Sequence, residues 1–379
     1  MSSAWTTSHV KAIASQNVAR VPLITPADVA PLLPGIMLWD MWPVQNPDGS
    51  IAEIAGGSLW MALSAVDHGD PARRHFEARI RLLHRIDEQW SDWGHALPDQ
   101  ETPYEREWAG TALLNNGVIM LYFTAAGDAA TPGGYQQKLY EAQGNLRSDG
   151  HIDWAVPQQS LINDGQYYEL ADQQFGEPGK IVAFRDPAYF RDPADGNEYL
   201  IFSASLAGSQ SEYNGAVGIA KRNGPDGWAL LPPIAHADNL NNEMERAHVV
   251  AKDGLYYLFW VTQEGTFNPH GPLGPTGLYG MVANSLRGEY RALNGSGLVL
   301  ANPPEEPSQT YSWHVTKELL VSSFIDHWGL NGRKLEGDNA LAAESFGGTP
   351  APFLKLWLDG DRAGLVANDF GEVTGKQRA

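Results

Sequence analysis

Asp253-Gly254-Leu255-Tyr256-Tyr257-Leu258-Phe259-Trp260-Val261 sets a turn dipeptide directly before seven apolar or aromatic residues. A run that short and continuous reads as a β-strand covered on both faces, because a helix of the same polarity needs more length. The same order of turn and strand returns at Asn116-Gly117 before V-I-M-L-Y-F-T and at Asp195-Gly196 before N-E-Y-L-I-F-S. It returns more weakly at Lys317-Glu318 before L-L-V-S-S-F-I. The starts at 116, 195, 253 and 317 are 79, 58 and 64 residues apart. That spacing exceeds a hairpin and suits four-stranded blades of a β-propeller with insertions. Adding the region of Ile36 and a C-terminal strand at Phe353–Leu358, about five such units fit the length. Two stacked β-sandwiches satisfy the same periodicity.

The bulk composition agrees with an all-β chain. Among 379 residues there are 40 Gly and 25 Pro to make turns, and 13 Trp and 14 Tyr to fill cores or line a pocket. The formal net charge of −19 repels nucleic acid and anionic membranes and leaves a neutral ligand as the natural partner. With no cysteine, disulfides, thiolate metal sites and thiol nucleophiles are excluded. The first thirty residues hold no apolar core of signal-peptide length, which points either to the cytoplasm or to secretion without a recognisable signal peptide. Nothing later is long enough to span a bilayer as a helix.

Residues 1–34 read as an N-terminal arm packed on the propeller, with one or two helical turns at Ser8–Ile13 and prolines at 22, 26, 31 and 34 preventing anything longer. Residues 35–379 then form a single catalytic domain. Its first strand, Ile36-Met37-Leu38-Trp39, ends in Asp40-Met41-Trp42-Pro43, and the N-P-D-G turn at 46–49 closes a hairpin onto 51–65. The sequence carries no signal for oligomeric state.

Chemistry is concentrated in three places. In N-L-N-N-E-M-E-R-A-H-V-V at 239–250, alternation of an extended chain sends Glu243 and Glu245 one way and Arg246 and His248 the other. Repulsion and partial burial raise the pKa of one carboxyl, which can then act as a general acid; the blander reading is a solvated acidic turn. Asp40, between Trp39 and Trp42, ends a buried strand whose counterpart in a propeller faces the channel, unless it merely caps a turn. Asp186 in F-R-D-P is held by the following proline, and Arg185 beside it is expected to keep it ionised. The nearby Asp192 begins a D-P-A-D-G turn and reads as a surface loop. A weaker motif is Glu107-Trp108-Ala109-Gly110-Thr111, where a small residue would let a ligand approach the backbone and Glu107 would hold a catalytic arginine.

Separated acids with aromatic neighbours suggest glycoside chemistry by paired carboxylates. No H-E-x-x-H, phosphate-binding glycine loop or G-x-S-x-G is present, so zinc proteases, nucleotide enzymes and serine hydrolases lose support. Carboxyl separations of about 5–5.5 Å mark retaining enzymes and about 6.5–9.5 Å inverting ones, a choice sequence leaves open.

Six motifs then resemble, in content and order, glycoside hydrolase family 68. They are L-W-D-M-W-P (38–43), E-W-A-G-T (107–111), F-R-D-P (184–187), E-M-E-R-A-H (243–248), L-N-G-S-G-L-V-L (293–300) and Q-T-Y-S (309–312). That family holds levansucrases, inulosucrases and β-fructofuranosidases. The resemblance implies a five-bladed β-propeller with a central funnel-shaped active site, acting on sucrose with fructo-oligosaccharides as acceptors and with no cofactor. It implies Asp40 as nucleophile, Asp186 as transition-state stabiliser and Glu245 as acid/base. Trp39 and Trp108 would line the fructosyl pocket, with Arg185, Glu243, Arg246 and Tyr311 as ligands. Gln263 stands where a His or Arg commonly contacts the glucosyl or acceptor side, which favours hydrolysis or short products over long levan. Gly56-Gly57 replaces a Gly-Trp pair, suggesting a more open pocket wall, and Trp313 replaces the His that usually follows Tyr-Ser. Asn242 replaces an Asp of calcium-binding relatives, which argues against a structural metal. Two other readings share these features: a non-catalytic sugar-binding propeller, and a related five-bladed arabinosidase.

Overall fold

The tight turns singled out above open the second strand of a four-stranded antiparallel sheet, not the first. The computed structural model describes residues 2–147, 150–176, 180–224, 227–335 and 337–366. Of the unit expected at 35–379, residues 367–379 lie outside the described residues. At Asn116-Gly117 and Asp253-Gly254 both turn residues have positive φ (51° and 79°, 52° and 77°), the twist that joins adjacent strands without splaying them.

Five sheets result. Their innermost strands are Ile36–Gln45, Arg106–Asn115, Phe184–Arg191, Glu245–Lys252 and Thr310–Val315, and we number the blades I to V in that order. Blades I and II share a short parallel contact, Val44 with Ala112 and Gln45 with Leu113, so their sheets run together. The chain is an all-β, five-bladed β-propeller. Among the described residues no helix is long and apolar enough to cross a membrane.

Each innermost strand carries one extra residue against its partner, and always at the same level. The registers slip between Trp39 and Met41, Trp108 and Gly110, Arg185 and Ala188, Glu245 and His248, and Tyr311 and His314. Such bulges bend the strand and re-aim a side chain out of simple alternation. In four of the five the residue after the slip begins is left-handed: Asp40 (φ 22°), Asp186 (57°), Arg246 (48°) and Ser312 (60°). Non-glycine residues hold that conformation at a cost of about 1–3 kcal/mol each, so the surrounding sheets must over-determine it.

The N-terminal arm is more regular than its prolines suggest. Ser3–Ala4 pairs parallel to the outer strand of blade III, and Ala19–Arg20 pairs parallel to Leu300 and Ala301 at the rim of blade IV. Thr7–Ala12 between them is the expected short helix. Near the first hairpin the chain turns twice: after Asn46–Gly49, a two-residue strand Glu53–Ile54 folds back on Gly57–Val66, which is the true partner of the innermost strand. Gly56-Gly57 therefore lies at the far end of blade I. It is six residues, or about 20 Å of strand, from the level of Asp40, so it cannot open the pocket wall. Gly57 is small because a side chain there would meet the Arg85 carbonyl at 2.3 Å.

Candidate active site

The five bulges bring their side chains to one end of the channel, and the acids of three blades meet there. Asp40 feels the charge of Glu245, and Asp186 feels those of Glu245 and Asp40, so the three act on each other electrostatically. Arg185 joins them. Its Nη2 donates to Glu243 Oε1 at 3.1 Å and to Glu245 Oε1 at 2.9 Å, while its Nε lies 3.5 Å from Asp186 Oδ2. Glu243 and Glu245 thus point the same way, as alternation requires, up to the bulge at Arg246.

Past that bulge alternation fails, with useful results. The Arg246 backbone N–H donates to Asp186 Oδ2 at 3.3 Å. Its guanidinium spans to blades V and I, donating to the Ser312 carbonyl (3.0 Å) and hydroxyl (2.9 Å) and to the Met41 carbonyl (3.0 Å). The Ser312 hydroxyl in turn favours the ionised form of Asp40. Tyr311 OH donates to Glu245 Oε2 and feels the side chain of Gln263, which is exposed. His248 fixes the bulge itself: Nδ1 donates to the Arg246 carbonyl at 2.8 Å, and Nε2 accepts from Val315 N–H at 3.0 Å. Burial holds this imidazole down to a pKa of about 4, which keeps the neutral tautomer those two bonds need.

Burial governs the carboxyls. It pushes Asp186 up to about 6, while the charge of the neighbouring Arg185 pulls the other way and favours the ionised form. That guanidinium is shared, since its Nη2 also serves Glu243 and Glu245. Burial, then the Glu245 charge, raises Glu243; burial likewise raises Asp40 against the pull of Arg246 and Ser312. Arg185 Nη1 is buried without a hydrogen-bond partner among the described residues.

The aromatic residues are placed less simply. Trp39 is only 3 % exposed, edge-on to His75, with the Arg74 guanidinium 5.7 Å from its ring centre. Trp108 keeps a partly exposed ring, but its indole N–H is committed to the His75 carbonyl at 3.0 Å. Glu107 holds no site arginine. It receives Arg79 Nε at 3.0 Å and Ile80 N–H at 2.7 Å, tying blade II to blade I. Nor does the Ala-Gly pair after Trp108 admit a ligand: Ala109 is buried, and a Cβ on Gly110 would sit 1.9 Å from the Tyr122 carbonyl. Trp313 is fully buried beside Tyr311.

Sequence reading missed the supports. Thr124 Oγ1 accepts from Asp186 N–H at 2.8 Å, and Ser203 Oγ donates to Asp186 Oδ2 at 3.1 Å. Ser312, Arg74 and His75 were missed as well. None carries a motif of its own, but Ser312 follows Tyr311 as Asp186 follows Arg185, a correspondence that the repeated strands could have revealed. Asp192 is not a surface residue. It is buried and accepts from Tyr256 OH at 2.5 Å. It borders a cavity of about 360 Å³ at the opposite end of the channel, lined also by Gln45, Thr111, His248, His314 and Lys317 and clear of the three acids.

A propeller whose channel gathers acids from three blades around one arginine has the groups that paired-carboxylate glycosidases use. Comparison with known proteins agrees. The family described as levansucrase/invertase matches residues 1–216 and 209–374. A levansucrase of Pseudomonas savastanoi pv. glycinea is 32% identical over 401 residues, covering 93% of this chain and 91% of that protein. A levansucrase of Rahnella aquatilis is 31% identical over 404 residues, covering 95% and 93%. Among solved structures, an inulosucrase from Halalkalicoccus jeotgali bound to kestose superposes with a TM-score of 0.87 at 38% identity, covering 97% of this chain and 96% of that one. The chain belongs to glycoside hydrolase family 68, the levansucrase/invertase family.

Proposed function

We propose that the chain is a retaining, sucrose-cleaving fructosyltransferase or β-fructofuranosidase that works through a covalent fructosyl-enzyme. The observation that carries this reading is the convergence of Asp40, Asp186 and Glu245, with Arg185, Arg246 and Tyr311 ordering them. Glu243 and Glu245 share one Arg185 nitrogen, and the upward push on Glu243 lets the pair retain a proton near neutrality. Glu245 delivers that proton to the glycosidic oxygen as the bond to fructose C2 breaks. Asp40 closes on C2 to form the ester, and Asp186 accepts hydrogen bonds from fructosyl hydroxyls as charge develops on the ring. Glu245 then takes a proton from the acceptor as the ester breaks. Water as acceptor yields fructose; a sugar hydroxyl yields a fructo-oligosaccharide.

The kestose carried by the inulosucrase relative supports a site that handles short fructosides, and the uncharged Gln263 at the mouth supports short products over long levan. The test is glucose release from sucrose, with a chromatogram of the products from concentrated sucrose. Wild type is expected to release glucose, and Asp40→Ala to lose about a millionfold in turnover, the scale for removing a covalent nucleophile. No glucose from wild type would leave a sugar-binding propeller as the better reading.

A further inference from the structure

The turn at Pro71–Phe76 overhangs the acid end of the channel and takes no part in the chemistry above. It lies between the second and third strands of blade I, and its fixings are unusually many for six residues. Asp70 caps it through Ala72 N–H at 3.0 Å, Arg74 Nη1 donates to the Pro71 carbonyl at 2.5 Å, and Arg73 pairs with Glu77 at 2.6 Å. Trp108 of blade II clamps it from the side by donating to the His75 carbonyl. Phe76, 44 % exposed, meets Tyr135 of blade II edge-to-face at 5.8 Å.

We propose that this turn is the leaving-group and acceptor wall of the site, with His75 hydrogen-bonding the hydroxyls of a neutral aldose unit and Arg74 holding His75 in place. The proposal rests on the sucrose reading and extends it from the fructosyl floor to the mouth. A gradient of exposure sets the direction: Trp39 is nearly sealed, whereas His75, edge-on above it at 6.3 Å, is exposed. His75 is solvent-exposed beside Trp39, and its backbone carbonyl is held by the Trp108 indole N–H. Its ring nitrogens have no hydrogen-bond partner among the described residues. Burial, then the charges of Arg74 and Arg106, keep the ring neutral. A neutral imidazole offers one donor and one acceptor, the pair that a sugar hydroxyl complements.

Arg74 is a positioning residue. Its guanidinium lies 4.5 Å from the centre of the Phe346 ring and feels the charges of Asp326 and Asp40, while its Nε is buried without a partner. It thereby ties the turn to blade V and to the level of the proposed nucleophile.

The experiment measures sucrose KM, kcat, inhibition by glucose and the ratio of transfer to hydrolysis for wild type, His75→Ala and His75→Gln. Loss of one or two hydrogen bonds to a neutral sugar should raise KM and weaken glucose inhibition together by about tenfold, with kcat within about threefold. His75→Gln, which restores a donor and an acceptor, should recover part of both. His75→Leu keeps the volume without the nitrogens and replaces the alanine variant if that one melts early. A folded variant with KM, glucose inhibition and product ratio all within twofold of wild type overturns the proposal while leaving the sucrose reading intact. Wild type that releases no glucose overturns both.

Discussion

At the scale of single residues, Asp186 shows what the site costs the fold. Its carboxyl is pushed from an ordinary 3.8 up to about 6 because burial and the neighbouring acids outweigh Arg185. A raised carboxyl is held most comfortably when protonated. Its contribution to stability is therefore greatest below about pH 4 and is lost as pH rises through about 6, a difference of roughly 3 kcal/mol for a shift of two units. Asp186→Asn keeps an oxygen for Ser203 and Arg246 N–H and removes the charge. It should be more stable than wild type at pH 7.5 by about 1–3 kcal/mol, with the gain vanishing near pH 4, while turnover of sucrose falls at least about a hundredfold. Melting curves at the two pH values decide it; an equal shift at both would mean that the charge is not the cause. At the mouth, Gln263→His introduces an imidazole in place of the uncharged amide and should raise the share of transfer over hydrolysis by about two- to fivefold, the worth of one hydrogen bond. A product profile unchanged from wild type would remove Gln263 from acceptor choice. The acids themselves were legible because an aromatic residue and a proline frame each Asp and because Glu243 and Glu245 stand two apart. Thr124, Ser203 and Ser312 were not, since a hydroxyl becomes a support only when another strand or blade brings a carboxylate or guanidinium to it.

At the scale of elements, the unit of design is a dipeptide repeated around the ring. Trp39-Asp40, Trp108-Ala109, Arg185-Asp186, Glu245-Arg246 and Tyr311-Ser312 occupy equivalent bulges, so most of the candidate site is one structural position sampled five times. Strand alternation alone misreads it, because one inserted residue reverses the face of everything beyond it. The second strands of blades II, III and IV were legible for the opposite reason: their turns carry Asn-Gly or Asp-Gly, and their burial demands a largely apolar run. Gly110 tests whether the bulge depends on close backbone approach. A methyl there would lie 1.9 Å from the Tyr122 carbonyl and 2.7 Å from Phe123 Cα, neither of which can swing aside. Gly110→Ala should lose about 1–3 kcal/mol to overpacking and also raise the KM for sucrose, because Trp108 moves with the strand. Urea unfolding beside steady-state kinetics separates the outcomes. Lost stability with unchanged KM would show that Trp108 is not held by this contact.

At the scale of the whole molecule, no strand among the described residues is shared between the two ends of the chain to close the ring. Blade V meets blade I through side chains instead: Ile51 N–H donates to Glu318 at 3.0 Å, Lys317 pairs with Asp48 at 2.6 Å, and Arg246 reaches Met41 from blade IV. The first twenty residues brace the other side of the ring, across the rims of blades III and IV. Length and proline content gave the arm its extent, but two-residue strands leave no periodicity to read, so its pairing was hidden. Trp5 is its anchor. At 1 % exposure it donates to the Ser296 carbonyl at 2.9 Å and packs against Trp260, Phe267 and Tyr279 with ring centres 4.8–5.6 Å apart. Trp5→Ala should lower stability by about 3–5 kcal/mol, the usual loss for a large buried aromatic. Catalysis should not follow, because the rim of a blade lies three strands, or about 14 Å, outward from the innermost strand that carries the acids. Chemical denaturation and glucose release from sucrose, measured on one preparation at a temperature where the variant stays folded, set the two effects apart. A KM or kcat that shifts in step with stability would show that the arm shapes the funnel as well as bracing the ring.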